Sequence, residues 1–277
     1  MAPRVTAQLD EQFRDLGHEL VGVITMRNQR RPDRFAALVE EMPARVDVAV
    51  PGEPEHVAPL LRAFEPDLAI CMGFGWRIRP DALAVPKLGI LNGHPSLLPR
   101  WRGPNPFGWT FRGGDSEAGY SFHLMDEDFD TGPIFAQGAM PIDDDDTIRT
   151  LFERYHELTG ALLTRALARL ESGDRGDPQT NDNAVHAPVF EDGYAEIDWT
   201  QSARDVHNQV RAWFIPSVSG IMGPLTTLAG KRVRVLKAQL AGGGVEASPG
   251  TILEVEGRTL LVQCGDAPVL ILETEPA

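Results

Sequence analysis

The apolar positions along the chain fall into two alternating rhythms. Val5 to Leu16 repeats at helical spacing, with Leu9, Phe13 and Leu16 on one side, and His18 to Thr25 then reads as a strand. The pair recurs as a helix from Phe35 to Met42, a short strand VDVAV, a helix over EPEHVAPLLRAF and a strand over PDLAICMGF. A short helix at PDALAV leads into an apolar strand that ends at Asn92 and His94, where Pro95 stops regular pairing. Helices and strands alternating at this spacing predict a doubly wound α/β sheet, mostly parallel.

The pattern changes beyond Pro95. Pro106 to Phe111 begins a helix, and YSFHLM alternates, with Tyr120, Phe122 and Leu124 on one face and Ser121, His123 and Met125 on the other. The acidic run Asp143–Asp146 precedes a long amphipathic helix, Ile148 to Leu170, and reads as negative charge at its N-terminus. Residues 171–187 are polar and rich in turn formers, as in a linker. LTTLAGKRVRVLKAQL and SPGTILEVEGRTLLVQCGDAPVLILE then give short strands with tight turns. The expected division is a catalytic domain over 1–173, a linker over 174–187 and an all-β domain over 188–277.

Composition narrows the class. With 42% hydrophobic and 24% charged residues, the 277-residue chain has an ordinary globular make-up. No apolar run approaches the roughly 20 residues of a membrane span. The start, MAPRVTAQLDEQ, lacks an apolar signal core, so a cytoplasmic protein is expected. Cys71 and Cys264, far apart, make neither a disulfide framework nor a metal site and read as buried, inert thiols. Against 26 basic residues stand 40 acidic ones, a net charge of −14, which argues against a polyanion such as transfer RNA unless a local basic patch exists. Gly73-Phe74-Gly75 lacks the third glycine of a dinucleotide fingerprint, so no nicotinamide cofactor is assigned.

The candidate chemistry lies between Leu88 and Ile134. Asn92 and His94 share one side of their strand, at the carboxyl end where open α/β sheets bind ligands. Asp130 follows in the turn-rich DEDFDTGPI. An Asn amide and a protonated imidazole both donate to an oxyanion developing on a carbonyl under attack. A carboxylate orients the imidazole, favours its charged form and relays a proton from an attacking amine. His123 reads first as a strand histidine satisfied by a neighbour and second as a wall of the cleft. Four carboxylates crowd residues 126–130, but no second ligand cluster stands at metal spacing, so no metal is assigned. Arg27, Arg30, Arg31 and Arg34 read either as a solvated loop or as a phosphate clamp for an acceptor.

NGHPSLLPRWRG followed by GDSEAGYSFHLMDEDFDTGPI resembles the signature of the formyltetrahydrofolate-dependent formyltransferases. FEDGYAEIDWTQSARDVHNQVRAW is similar to the opening of the C-terminal domain in that family's methionyl-tRNA members. The resemblance implies a Rossmann-like formyltransferase domain, a small OB-like C-terminal β-barrel, and 10-formyltetrahydrofolate as formyl donor. It implies that Asn92, His94 and Asp130 are catalytic. It also implies that Trp76, Arg77, Ile78, Leu91, Asp126 and Asp128 line the folate pocket, largely through backbone contacts. Family members carry one more strand upstream of the first helix, so a late start or a lost strand is expected here. For the acceptor, the acidity and the short segment after Thr25 favour a small-molecule amine, such as a nucleotide-linked amino sugar or an amine of specialised metabolism. Methionyl-tRNA stands second, and water, which would make the protein a folate hydrolase, third.

Overall fold

A computed structural model describes residues 3–27, 32–213, 223–243, 247–257 and 259–277. The chain begins α1 (Pro3–Asp15), β1 (Gly22–Ile24), α2 (Pro32–Glu41), β2 (Asp47–Ala49), α3 (Val57–Phe64), β3 (Ala69–Cys71), α4 (Pro80–Leu83) and β4 (Ile90–His94). It continues with α5 (Pro106–Arg112), β5 (Glu117–Leu124), β6 (Ile134–Pro141), α6 (Ile148–Glu171) and α7 (Ala203–Ala212). Five strands close it: β7 (Leu225–Leu228), β8 (Lys231–Leu240), β9 (Ile252–Glu256), β10 (Thr259–Gln263) and β11 (Pro268–Pro276). By packing, the chain divides into two compact units, each discontinuous in sequence. The first comprises Met1–His94, Tyr120–Gln137 and Gly160–Asp182, the second Pro95–Gly119, Gly138–Thr159 and Asn183–Ala277.

The α/β alternation read from the sequence is present, with parallel pairing of β1 with β2 and of β3 with β4. The two pairs belong to separate sheets, one of two strands and one of four in the order β3-β4-β5-β6. After β4 the sense reverses, and β5 runs antiparallel to it. The strand expected over His18–Thr25 is pared to three residues. Its first half joins no ladder among the described residues: Val21 is exposed, and the carbonyl of Leu20 accepts instead from the Arg45 guanidinium at 3.3 Å. Gly22 is needed within β1, because a Cβ there would lie 2.7 Å from the Phe64 ring of α3.

The first unit's core under the site joins Val57, Ala58 and Leu61 of α3 to Ile78, Ala82 and Ile90, with Trp76, Cys71 and Met125 packed at its margin. Each fully buried aliphatic side chain contributes on the order of 1.5–3 kcal/mol. All five residues of β4 are buried, so the strand that carries Asn92 and His94 is held on both faces.

In the second unit α5 starts from a capped end: Asn105 accepts from the amide of Gly108, and Pro106 follows where no donor is required. The closing strands form a curled antiparallel sheet in the order β7-β8-β11-β10-β9, the half-barrel form of the small β-domain expected there. Ala229 and Gly230 both have positive φ, +48° and +74°, as a two-residue hairpin joining β7 to β8 requires. Val206 and Val210 of α7 cover its core of Val235, Val262, Val269 and Ile271.

Candidate active site

Strand register decides which side chains meet. β4 and β5 place Asn92 opposite His123 and His94 opposite Ser121. Asn92 and His94, two apart, therefore share a face with His123, and Gly93 turns to the other. There a Cβ would lie 2.5 Å from the Tyr120 hydroxyl and 3.1 Å from the Phe122 ring. Both rings are buried and packed against each other, 5.3 Å between centroids, so neither can retreat cheaply. Gly93→Ala is expected to cost about 1–3 kcal/mol of stability, the usual penalty of overpacking a filled core. Thermal unfolding checks this, and an unchanged midpoint would contradict the packing argument.

Asp130 reaches the same face from the loop after β5. Its Oδ1 lies 3.3 Å from Asn92 Nδ2, 3.5 Å from His94 Nδ1 and 3.4 Å from His123 Nε2. The side chains of His94, His123 and Asp130 keep 6%, 1% and 12% of their surface, so one carboxylate oxygen gathers three polar groups largely out of water. Such a setting strengthens each electrostatic contact. His123 Nδ1 stands 3.0 Å from the Leu124 carbonyl, and Nε2 stands 3.1 Å from Asn92 Nδ2. A proton on Nδ1 donated to that carbonyl leaves Nε2 to accept from the Asn92 amide, and the two contacts together assign this tautomer. His123 is thus both buried by neighbours and part of the site, the two readings that the alternation alone held apart.

The loop is built to turn Asp130 inward. Asp126 Oδ1 accepts from the amide of Asp128 at 3.2 Å and from the Thr131 hydroxyl at 2.7 Å, which folds residues 126–131 on themselves. Asp130 adopts φ +57°, the left-handed region that Asp and Asn tolerate better than other non-glycine residues. At Gly132 an added Cβ would fall 1.9 Å from the Leu124 carbonyl oxygen, so only glycine lets the loop rejoin β6 there.

The loop after β3 lies beside this one. Arg77 donates to the Glu127 carbonyl and stands over the exposed Phe129 ring, 5.5 Å from its centroid. Ile78 and Leu91 are buried, Trp76 is partly buried against the α3 core, and Asp128 is exposed. Ser96 donates to the Arg100 carbonyl at 2.7 Å. Burial pushes the half-buried Cys71 thiol up to about 11 and the buried Cys264 thiol up to about 12, so neither is a thiolate at neutral pH. Arg30 and Arg31 of the suggested phosphate clamp lie outside the described residues, Arg27 is exposed and Arg34 belongs to α2.

Comparison with known proteins gives concordant matches. Residues 22–167 match the family described as "Formyl transferase", and 191–277 match "Formyl transferase, C-terminal domain". Methionyl-tRNA formyltransferase of Myxococcus xanthus is 36% identical over 217 residues, 78% of this chain and 67% of the relative. That of Pelobacter propionicus is 32% identical over 272 residues, 95% of this chain and 83% of the relative. Among solved structures, WlaRD, a sugar 3N-formyl transferase, superposes with a TM-score of 0.71 at 18% identity, covering 99% of this chain and 94% of its own. At that identity it shows the fold alone.

These relatives correct two expectations. The acceptor was expected to be a small-molecule amine and transfer RNA the lesser partner, but relatives spanning most of the chain carry the methionyl-tRNA name. Net charge misled because it is a sum over the whole chain, whereas phosphate contacts depend on local placement. Lys231, Arg232 and Lys237 are exposed on β8 despite the total of −14.

Proposed function

The chain belongs to the 10-formyltetrahydrofolate-dependent formyltransferase family, and on that premise we propose that its acceptor is the amine of methionyl-tRNA. It is an enzyme, and its formyl donor is 10-formyltetrahydrofolate. When bound, the donor supplies an electrophilic formyl carbon attached to a nitrogen able to leave. Trp76, Arg77, Ile78, Leu91, Asp126 and Asp128 are assigned to hold it. Two observations support the fit. The side chains of Ile78 and Leu91 are committed to the core, which leaves peptide groups as what they offer to a flat heterocycle. The side chain of Arg77 ties the loop after β3 to the loop after β5.

In this reading His94 is protonated: its Nδ1 leans on Asp130, and its Nε2–H is the group aimed at the formyl oxygen as negative charge gathers there. Asn92 adds a second donor by releasing its 3.3 Å contact to Asp130. The amine lone pair makes the new C–N bond. Asp130 takes the amine proton and passes it to the leaving nitrogen, which keeps the electron pair of the broken bond. Holding both reactants in line supplies much of the remaining acceleration. The supporting observation is the meeting of Asn92 and His94 at one carboxylate oxygen, and the acceptor rests on the relatives' agreement along the chain. The same reading puts the protein in the cytoplasm; among the described residues no helix is long and apolar enough to cross a membrane.

The test offers the enzyme 10-formyltetrahydrofolate with methionyl-charged transfer RNA, uncharged transfer RNA, free methionine or an amino-sugar nucleotide. Mass spectrometry of the released amino acid or sugar reads the product. One added formyl group on methionine from charged transfer RNA alone is expected. Formylation of the free amines with none on charged transfer RNA, or formate release without any amine, would contradict the reading.

A further inference from the structure

The segment expected to be a linker grips the candidate catalytic loop. Asp177 and Ile134 exchange backbone hydrogen bonds, both 2.8 Å, which pins residues 174–179 alongside the start of β6. Arg169 fastens the same stretch, meeting Asp177 at 2.9 Å, Asp174 at 2.7 Å and the Phe135 carbonyl at 3.1 Å. Gln179, two residues further on, is thereby carried to the loop that holds Asp130. Its Nε2 donates to the Asp130 carbonyl at 3.0 Å and to the Gly132 carbonyl at 2.8 Å.

We propose that Gln179 is a positioning residue for formyl transfer, fixing the backbone of Asp130 so that its carboxylate points at Asn92 and His94. The need for such a clamp follows from the loop itself. Asp130 is a non-glycine residue held at φ +57°, a conformation that persists only where its surroundings enforce it. The Asp126 turn shapes residues 126–131 through the Asp128 amide and the Thr131 hydroxyl, while Gln179 fixes the carbonyls of Asp130 and Gly132. One amide spanning both carbonyls sets the peptide planes that follow Asp130 and Gly132, and with the first of them the direction of the Asp130 Cα–Cβ bond.

This inference rests on the catalytic role given to Asp130 above, and its test separates the two. Gln179→Leu removes the donors, and Gln179→Glu keeps the size while setting a carboxylate against two carbonyl oxygens. Both are measured in steady-state formyl transfer, in the natural background and beside Asp130→Asn, with thermal unfolding as a check on folding. In the natural background a loss of about 10- to 100-fold in kcat is expected, the scale at which a misplaced reacting group acts, with KM for donor and acceptor within about twofold. Beside Asp130→Asn the same substitutions should change the rate by less than about twofold, since there is no carboxylate left to aim. A residue that merely stabilises the fold would cost the same in both backgrounds, and that result, or an unchanged kcat, overturns the proposal. Hydrogen exchange over residues 126–132 needs no turnover. It should rise in Gln179→Leu even if the transfer reaction proves to be another, and unchanged protection there would sink the clamp on its own.

Discussion

Asp130→Asn is expected to lower kcat for formyl transfer by about 10²- to 10⁴-fold, the range associated with loss of a positioned proton-transfer group. The fold should survive. Asparagine enters the left-handed region as readily as aspartate, so the φ of +57° is not strained further. Its amide is nearly the shape of the carboxylate, and the carbonyl contacts from Gln179 use the backbone, which the substitution leaves alone. What disappears is the negative charge facing His94 Nδ1 and the oxygen able to take up a proton. A thermal midpoint close to that of the natural protein beside a collapsed kcat would be the expected pair of readings. A kcat within a few-fold of the natural enzyme would remove Asp130 from the mechanism.

His94→Ala is expected to cost about 10²- to 10³-fold in kcat, the size seen when one donor to a developing oxyanion is removed. Here the structure predicts some loss of stability as well. The side chain is 6% exposed on a strand covered on both faces, so its removal leaves a void, at about 0.5–3 kcal/mol. Asp130 Oδ1 still accepts from Asn92 Nδ2 at 3.3 Å, and so does not become an unpartnered buried charge. Activity assays below the lowered midpoint separate the two effects. Equal activity in folded His94→Ala would show that Asn92 alone meets the oxyanion.

The parts of the site legible in the sequence were those set by short-range geometry. Two residues of spacing on one strand put Asn92 and His94 on a common face, and Pro95 marked the end of that strand. Asp130 was legible because its surrounding text resembles a family signature, not from spacing. The position of His123 was not legible, since the pairing of Asn92 with His123 depends on strand register, which a single sequence does not display. Gln179 was hidden for a similar reason. It lies in a polar run with every local mark of a linker, and its role comes from the backbone bridge between Asp177 and Ile134. The first strand was read too long because apolar character continues through Leu20 and Val21, whereas a strand also needs a partner ladder. The acceptor was misjudged because a chain-wide charge was used where local charge decides.

In the proposed mechanism Asn92, His94 and Asp130 act as one device centred on a single carboxylate oxygen. The most direct measurement compares single-turnover formyl transfer to methionyl-tRNA by His94→Ala, Asp130→Asn and the double variant. Groups that work as a unit give a double variant about as slow as the slower single one. A double variant whose loss equals the product of the two single losses would mean that His94 and Asp130 act independently, and the proposed mechanism would be wrong.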